Sequence, residues 1–402
     1  MRTPALEPTA GRSTALPILL CAMATFIDGY DVQALGLTIP LMAKEFGVAP
    51  SAFSIAASAS LAGMALGALF LSPLADRFGR RRTLVPLLLL FGFATLGAAF
   101  STSTSTLTFW RFVAGLGLGA TLPVALTLTA EIAPPHRRNI LLSLVVSCTA
   151  FGAFAGGFVA PALTAEWGWR GVYGFGAAAP VLIALLCLKG LPAGSINIAK
   201  ESRRSTSVRE LMSPTLRSRT LLLWTLFVLN QFVAYALISW LPTLLHHAGL
   251  ELAAASRATG LLALGGVIGS LLVTLLADRG RARFGLIGAY VLGATSLAVC
   301  GLVTSPTAPW NLLVLFVGCG VYGAQMSLGA MVAAFYPAEV RATGIGWSTG
   351  IGRIGSVIGP LVLGLLLSVA QSPTSLLGAL MVPVLLCAVG ALFLPAIGGS
   401  RQ

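Results

Sequence analysis

The phrase LADRFGRRR, residues 74–82, returns in altered form as LADRGRARF at residues 276–284. Each copy follows one long apolar stretch and precedes another, so each is a short polar loop between two hydrophobic segments. A phrase repeated at equivalent places far apart in a chain indicates duplication of a larger unit. The two copies therefore predict a protein built from two similar halves.

The composition excludes an ordinary water-soluble protein. Of the 402 residues, 56% are hydrophobic and 9% are charged, whereas a typical soluble domain has about 25% charged residues. A helix that crosses a bilayer takes roughly 20 apolar residues. Twelve segments meet this requirement: 16–42, 51–74, 83–101, 107–131, 139–164, 170–191, 219–245, 254–277, 284–304, 309–335, 342–368 and 374–395.

The distribution of basic residues predicts the orientation in the membrane. The net charge of +13 comes from Lys and Arg in alternate short loops, which argues against a nucleic-acid-binding surface. With a cytoplasmic N-terminus, 20 of the 25 Lys and Arg residues fall on the cytoplasmic side, as the positive-inside rule requires. The first apolar stretch contains two acids and is too long for a signal peptide, so we interpret it as an uncleaved helix.

A polar segment, residues 192–218, separates two groups of six apolar segments. We therefore predict an all-α membrane protein with an N-terminal six-helix bundle (1–191), a cytoplasmic linker (192–218) and a C-terminal six-helix bundle (219–402). Both termini are expected in the cytoplasm.

The repeated loop resembles the signature of the major facilitator superfamily, through Asp76, Arg77, Gly79 and Arg80, with a weaker echo at Asp278. The resemblance implies a central cavity between the two halves and alternating access by rocking. From the residues alone, an acid at a helix C-terminus is unfavourable unless a cation or a helix N-terminus lies nearby. We interpret Asp76 as a latch that is paired in one state only, the alternative being a loop that merely anchors the topology. The predicted gating residues are Asp76, Arg77, Gly79, Arg80, Asp278 and Arg341.

Two acids stand inside the first apolar segment, in the stretch FIDGYDVQALG, residues 26–36. Asp28 is near mid-membrane, and Asp31 lies one helical turn further outward. Carboxylates at bilayer depth are costly and mark an ion or proton path. Burial and mutual repulsion both favour the protonated form. We predict that Asp28 and Asp31 carry the coupled proton, while the structural alternative requires each acid to pair with a buried base.

Arginines inside the spans are the other unusual charges. A guanidinium keeps its charge, so it needs an acid, carbonyl groups or an anionic ligand. Arg353 is predicted to contact an anion or to act in gating. Arg111 is predicted to couple to the acids of the first segment, with support of the cavity wall as the alternative. Weaker candidates for substrate contacts, each also open to a packing role, are Tyr30, Asn230, Gln231, Tyr322 and Gln325.

Three phrases resemble the aromatic acid:proton symporter family. They are DGYDVQALG at residues 28–36, RFVAGLGLGATLPVAL at residues 111–126 and YPAEVRATGIGWSTGIGRIGSVIGP at residues 336–360. One departure is LPAGS at residues 191–195, which lacks the acid usual at that place. The resemblance implies proton-driven import of a hydroxybenzoate-like or phenylpropionate-like acid across a bacterial inner membrane.

Other functions remain as alternatives. Proton-driven efflux on the same fold is the nearest, although Gly157 is followed by Phe158 where exporters often have Pro. A membrane sensor is a different class, and an enzyme is not expected because we find no nucleophile–base pair, metal cluster or nucleotide motif. The expected partners are a small aromatic acid, protons and the lipid bilayer, with no cofactor, no metal and no nucleic acid. The chain is expected to act as a monomer.

Overall fold

The computed structural model describes residues 14–191 and 208–394, apart from residues 304, 338, 370 and 371. Every regular element in these ranges is a helix. We number the apolar helices as spans 1 to 12 in chain order. Spans 1 to 4 are Ala15–Phe46, Pro50–Phe78, Arg80–Ala99 and Thr104–Ile132.

Spans 5 and 6 form one helical run, Arg138–Gly190, which is broken at Gly168. Gly168 has φ 62° and ψ −166°, a backbone conformation that favours glycine. The described residues therefore contain eleven apolar helices long enough to cross a membrane, and the longest of them supplies two spans. With this break the twelve predicted segments are all present.

The second half holds the remaining spans. Spans 7, 8, 9 and 11 are Arg217–His247, Leu252–Asp278, Ala282–Leu302 and Arg341–Val369. Span 10 combines Trp310–Val317, a π-helical turn Gly318–Tyr322 and Gly323–Phe335, and span 12 combines Pro373–Ala379 with Met381–Leu392. Residues 192–207 of the predicted linker lie outside the described residues, and a short helix, Val208–Leu211, precedes span 7.

The repeated loops have matching backbone geometry. Gly79, between spans 2 and 3, has φ 91°, and Gly280, between spans 8 and 9, has φ 72°. Both values lie where residues with a side chain are strained, so glycine makes the sharp reversal possible in each copy. The loops after spans 2 and 8 lie at the same end as the loop after span 4, and we call this the arginine-rich end.

The two halves meet at the opposite end, which we call the far end. Glycines allow the closest approaches there. A Cβ on Gly36 of span 1 would overlap the backbone of span 7 at Ile238 and one on Gly157 of span 5 would overlap span 8 at Gly260. Towards the arginine-rich end of span 11, Gly346 and Gly350 have open space around them.

The hydrophobic core shows the same asymmetry. One cluster of buried apolar residues fills the first half, with Leu88, Phe91 and Leu118 at its centre. A second cluster fills the second half and continues into the far ends of spans 1, 2 and 6, where it includes Ile39 and Phe53. The protein is therefore closed at the far end, and a cleft between the halves opens towards the arginine-rich end.

Candidate functional site

A buried ion pair joins spans 1 and 4. Arg111 Nη1 donates to Asp31 Oδ2 at 2.7 Å, and the two side chains are 1% and 0% exposed. Arg111 Nη2 donates to Ser60 Oγ of span 2 at 3.1 Å. Asp31 Oδ1 and Arg111 Nε have no hydrogen-bond partner among the described residues. Protonation of Asp31 would leave the Arg111 guanidinium buried without its anion, which is energetically costly.

Glycine sets the depth and orientation of the acids. A Cβ on Gly29 would overlap the Thr149 carbonyl oxygen of span 5, and one on Gly152 of span 5 would overlap the Phe26 carbonyl oxygen. Spans 1 and 5 therefore cross in backbone contact between the two acids. With Gly29 against span 5, Asp31 is directed towards spans 2 and 4, and Asp28 has a different environment.

Asp28 is 3% exposed, and its Oδ1 has no hydrogen-bond partner within the described ranges. It lies close enough to interact electrostatically with Asp31 and with Arg353 of span 11. In the part of the chain that the structure describes, no ion pair of 4 Å or less involves Asp28. Asp28 and Arg353 of the other half are thus near each other but beyond ion-pair distance, and we call this separation the gap.

Arg353 lies on the other side of this gap. It is half-buried, and its Nη1 has no hydrogen-bond partner among the described residues. Arg353 stands 12 residues after Arg341 and Asp28 stands 13 residues after Ala15. At 1.5 Å per residue both are therefore about 20 Å from the start of their helices at the arginine-rich end.

Two glutamines of the second half lie at a matching depth. The Tyr322 hydroxyl of span 10 donates to the Ala234 carbonyl of span 7 at 3.3 Å. Spans 7 and 10 are antiparallel, so Gln231 and Gln325 each lie one turn from this contact towards the arginine-rich end. The Oε1 atoms of both glutamines are buried without a partner in the described residues. Gln231 also lies against span 11 beside Arg353, since a Cβ on Gly352 would be 3.4 Å from Gln231 Cγ.

Three other predicted substrate residues occupy packing positions. The Tyr30 hydroxyl donates to the Val172 carbonyl at 3.0 Å, and its ring packs edge-on against Phe175 in the core of the first half. Tyr30, expected to contact substrate, is thus directed away from the gap because small residues of spans 5 and 6 make room for its ring. Asn230 donates to the Val321 carbonyl at 3.2 Å. Tyr322 supports the crossing of spans 7 and 10.

The predicted latch is paired within its own half. Arg80 contacts Asp76, which is 73% exposed, and donates through Nε to Glu131 of span 4 at 2.9 Å. Arg77, Asp278 and Arg341 are exposed. No ion pair between the two halves is formed by these residues within the described ranges.

Several polar residues near the ion pair escaped prediction from sequence. Ser60 contacts Arg111, Thr95 of span 3 lies near Asp31, and Tyr173 of span 6 lies under the Arg111 guanidinium. Isolated hydroxyl groups in apolar segments carry little sequence signal. The usable sequence signal was Arg111 itself, because a buried arginine needs several hydrogen-bond partners.

A small recess adjoins the ion pair on its far-end side. Its walls are apolar except for Ser60, Arg111, Tyr235 and Ser239. Spans 1, 2 and 4 form one side and span 7 forms the other, so the recess lies between the halves. Among the described residues, no group of three or more His, Cys, Asp or Glu side chains is placed to hold a metal ion.

Comparison with known proteins decides the family. The sequence model of the Major Facilitator Superfamily matches residues 21–360. The 4-hydroxybenzoate transporter PcaK of Acinetobacter baylyi is 32% identical over 94% of this chain and 90% of the relative. The chain belongs to the major facilitator superfamily, in its aromatic acid:proton symporter family. The predicted family and the prediction that the chain is not an enzyme are thereby confirmed, since these relatives are transporters.

Further comparisons agree with this assignment. The 3-(3-hydroxy-phenyl)propionate transporter of Escherichia coli is 32% identical, with 90% of each chain covered. Among solved structures, a bacterial homologue of the human lysosomal transporter Spinster, in an inward-facing and unoccupied conformation, has a TM-score of 0.77. That structure is 16% identical and covers 96% of both chains. The predicted fold of twelve helices in two six-helix bundles is confirmed.

Proposed function

We propose that this protein imports a small aromatic carboxylate together with protons across the inner membrane of a bacterium, with both termini in the cytoplasm. The observation that carries the proposal is the gap between Asp28 and Arg353. A buried acid and an arginine lie in opposite halves at one depth, and each has a polar atom without a partner among the described residues. The relatives named as transporters of 4-hydroxybenzoate and of 3-(3-hydroxy-phenyl)propionate support an aromatic acid as the substrate.

The substrate carboxylate binds Arg353, because a guanidinium whose Nη1 has no partner among the described residues gains a charge-assisted hydrogen bond from an anion. Asp28 competes for the same cation when it is ionised. Protonation of Asp28 therefore favours binding of the carboxylate, and loss of the proton favours its release. Gln231 and Gln325 supply polar contacts at the same depth, while the apolar walls of the cleft contact the ring.

Asp31 is the second proton site. Ionised, it holds Arg111 in the buried pair. Protonated, it leaves Arg111 with no negative partner and so destabilises the first half in its present packing. Coupling arises because the two protonation states favour different packings of the same spans.

The arginine-rich end is cytoplasmic in this proposal, so the structure corresponds to the state open to the cytoplasm. Closure of that end brings the loop of Asp76 and Arg80 towards the start of span 11 at Arg341. The latch then pairs across the halves, while the glycine contacts at the far end separate. The protein acts as a monomer, because the cleft and every proposed site lie within one chain.

Uptake by purified protein in liposomes tests this proposal. Labelled 4-hydroxybenzoate, benzoate and 3-(3-hydroxyphenyl)propionate are supplied outside, with and without a pH gradient that is alkaline inside. The proposal predicts accumulation of at least one acid that depends on the gradient and collapses when a protonophore is added. Accumulation only when the gradient is reversed would indicate export, and the absence of any gradient effect would contradict proton coupling.

A further inference from the structure

The ring of Tyr173 restrains the arginine of the buried ion pair. Arg111 Cζ lies 5.8 Å from the centroid of the Tyr173 ring, within the range of a cation–π interaction. The Thr38 hydroxyl of span 1 donates to the Tyr173 hydroxyl at 3.5 Å. Both Tyr173 and Arg111 are nearly inaccessible to solvent, with exposures of 0% and 1%. The Tyr173 ring therefore adds a contact to the Arg111 guanidinium that is separate from its hydrogen bonds.

Hydrogen bonds alone leave the guanidinium incompletely fixed. Its Nη1 donates to the Asp31 carboxylate and its Nη2 to Ser60 and to the Asp31 main-chain carbonyl, but Nε has no partner among the described residues. A planar group held along one edge can swing about that edge unless a flat surface supports it. The Tyr173 ring provides this surface.

Aromatic contacts continue from Tyr173 to the far end of the protein. Trp169, one turn earlier on span 6, packs edge-on against Tyr173 with ring centroids 5.8 Å apart. Phe46 of span 1 packs edge-on against Trp169 at 5.8 Å, and Phe53 stacks on Phe46 at 6.0 Å. Four rings therefore connect the buried ion pair to the outer ends of spans 1, 2 and 6.

A three-residue group fixes the outer end of this series. The Trp169 indole donates to Glu45 Oε2 at 2.6 Å, and Arg170 Nη1 donates to Glu45 Oε1 at 2.7 Å. The Arg170 guanidinium also covers the Trp169 ring, with Cζ 4.4 Å from its centroid. Both carboxylate oxygens of Glu45 are used, so Trp169 is held in one position. We call Glu45, Trp169 and Arg170 the outer clamp.

We propose that Tyr173 is a positioning residue for proton coupling, which holds Arg111 on Asp31 and is itself held by the outer clamp. The inference rests on the role proposed above for Asp31. It adds that the outer clamp, which lies at the far end, influences the affinity of Asp31 for its proton through the contact between Tyr173 and Arg111.

The charged and titratable groups around Asp31 determine the expected direction. In the described part of the chain these are Arg111 on span 4, Tyr173 on span 6, and Asp28 and Tyr30 on span 1. Spans 2 and 3 contribute the hydroxyls of Ser60 and Thr95. Arg111 is the one cation in direct contact with Asp31 in this group. A looser Arg111 therefore stabilises ionised Asp31 less, and the carboxylate binds its proton at a lower proton concentration.

The pH dependence of uptake in liposomes tests the inference. Tyr173→Leu removes the ring and is expected to move the pH of half-maximal uptake upwards by about one unit, a tenfold change in proton concentration. Tyr173→Phe keeps the ring and is expected to retain the wild-type midpoint. Tyr290→Leu removes an equally buried ring from span 9 of the other half and serves as the matched control. Its midpoint is expected to stay at the wild-type value.

Glu45→Gln provides a second test at a partly exposed site, in case Tyr173→Leu does not fold. It breaks the ion pair of the outer clamp and is expected to shift the midpoint upwards by a smaller amount, about twofold to threefold in proton concentration. Wild-type midpoints in Tyr173→Leu or, if that variant is lost, in Glu45→Gln would overturn the inference while leaving the proposed function intact. If uptake by the wild-type protein did not depend on pH, the proposed function itself would be overturned.

Discussion

Asp28 and Asp31 stand one helical turn apart on span 1, yet among the described residues only Asp31 has an arginine within ion-pair distance. Asp31 contacts Arg111 of its own half, whereas Asp28 faces Arg353 of the other half across a gap. The first contact lies within one half, and the second relationship joins the two halves. The two acids are therefore suited to different tasks, one within a bundle and one between bundles.

The buried pair makes a strong prediction about stability. Arg111→Gln leaves the Asp31 carboxylate without its cation, and Asp31→Asn leaves the guanidinium without its anion. Each change is expected to cost about 3–5 kcal/mol of unfolding free energy, because an uncompensated charge remains buried. Thermal unfolding in detergent measures the effect.

The double variant Asp31→Asn with Arg111→Gln is the control, since it removes both charges together. It is expected to recover most of the lost stability and to remain inactive in gradient-driven uptake. Additive losses in the double variant would show that the two side chains act independently and would exclude the pair as a unit.

The crossing of spans 1 and 5 is expected to tolerate no side chain at Gly29. Gly29→Ala places a Cβ on the Thr149 carbonyl oxygen, so the helices have to separate and the acids on either side have to move. We expect a loss of about 1–3 kcal/mol in stability and a loss of transport. Gly174→Ala on span 6, where a Cβ meets nothing within 4 Å, is the matched control. Equal behaviour of the two variants in folding and uptake would argue against a close crossing.

Arg353 is expected to supply most of the affinity for the substrate carboxylate. Arg353→Ala removes a charged hydrogen bond worth about 1.5–3 kcal/mol, which corresponds to an affinity weaker by about 10–150-fold. Arg353→Lys keeps the charge without the fork and is expected to lie between the two. Equilibrium binding of the best substrate to purified protein measures this. Arg257→Ala, at an exposed arginine near the far end, is the control, and an equal loss there would refute a specific role for Arg353.

The loop contact between Arg80 and Glu131 is expected to affect rate rather than affinity. Glu131→Gln weakens a half-buried contact at the arginine-rich end, far from the proposed substrate site. We expect uptake to slow several-fold, by roughly 1 kcal/mol in the barrier, with substrate affinity unchanged. Glu166→Gln, an exposed acid near the far end, controls for removal of a charge. A change in affinity without a change in rate would contradict the assignment of this loop to gating.

The fold was largely predictable from the sequence because hydropathy is a property of whole segments. Twenty apolar residues and a basic loop specify a span and its direction without any knowledge of packing. Hydropathy separated segment 139–164 from segment 170–191, and the structure breaks the helical run between them at Gly168. The repeated loops indicated the two halves, and Gly79 and Gly280 give both copies the same turn.

The site was predicted only in part, because it depends on the rotation of each helix about its axis. A buried arginine needs an acid, so a link between Arg111 and span 1 was predictable, but the choice of Asp31 over Asp28 follows from the crossing at Gly29. The position of the Tyr30 side chain was unpredictable for the same reason, since small residues of spans 5 and 6 make the space for its ring. The outer clamp joins Glu45 to Trp169, residues that no local pattern connects.

Asp28→Asn in liposomes tests the central claim most directly. The variant resembles a permanently neutral acid, so it is expected to bind substrate and to exchange labelled for unlabelled substrate across the membrane. It is also expected to lose accumulation driven by a pH gradient, because residue 28 can no longer release a proton when the substrate leaves. Exchange without gradient-driven accumulation supports Asp28 as the coupling acid, whereas accumulation equal to that of the wild type would contradict it.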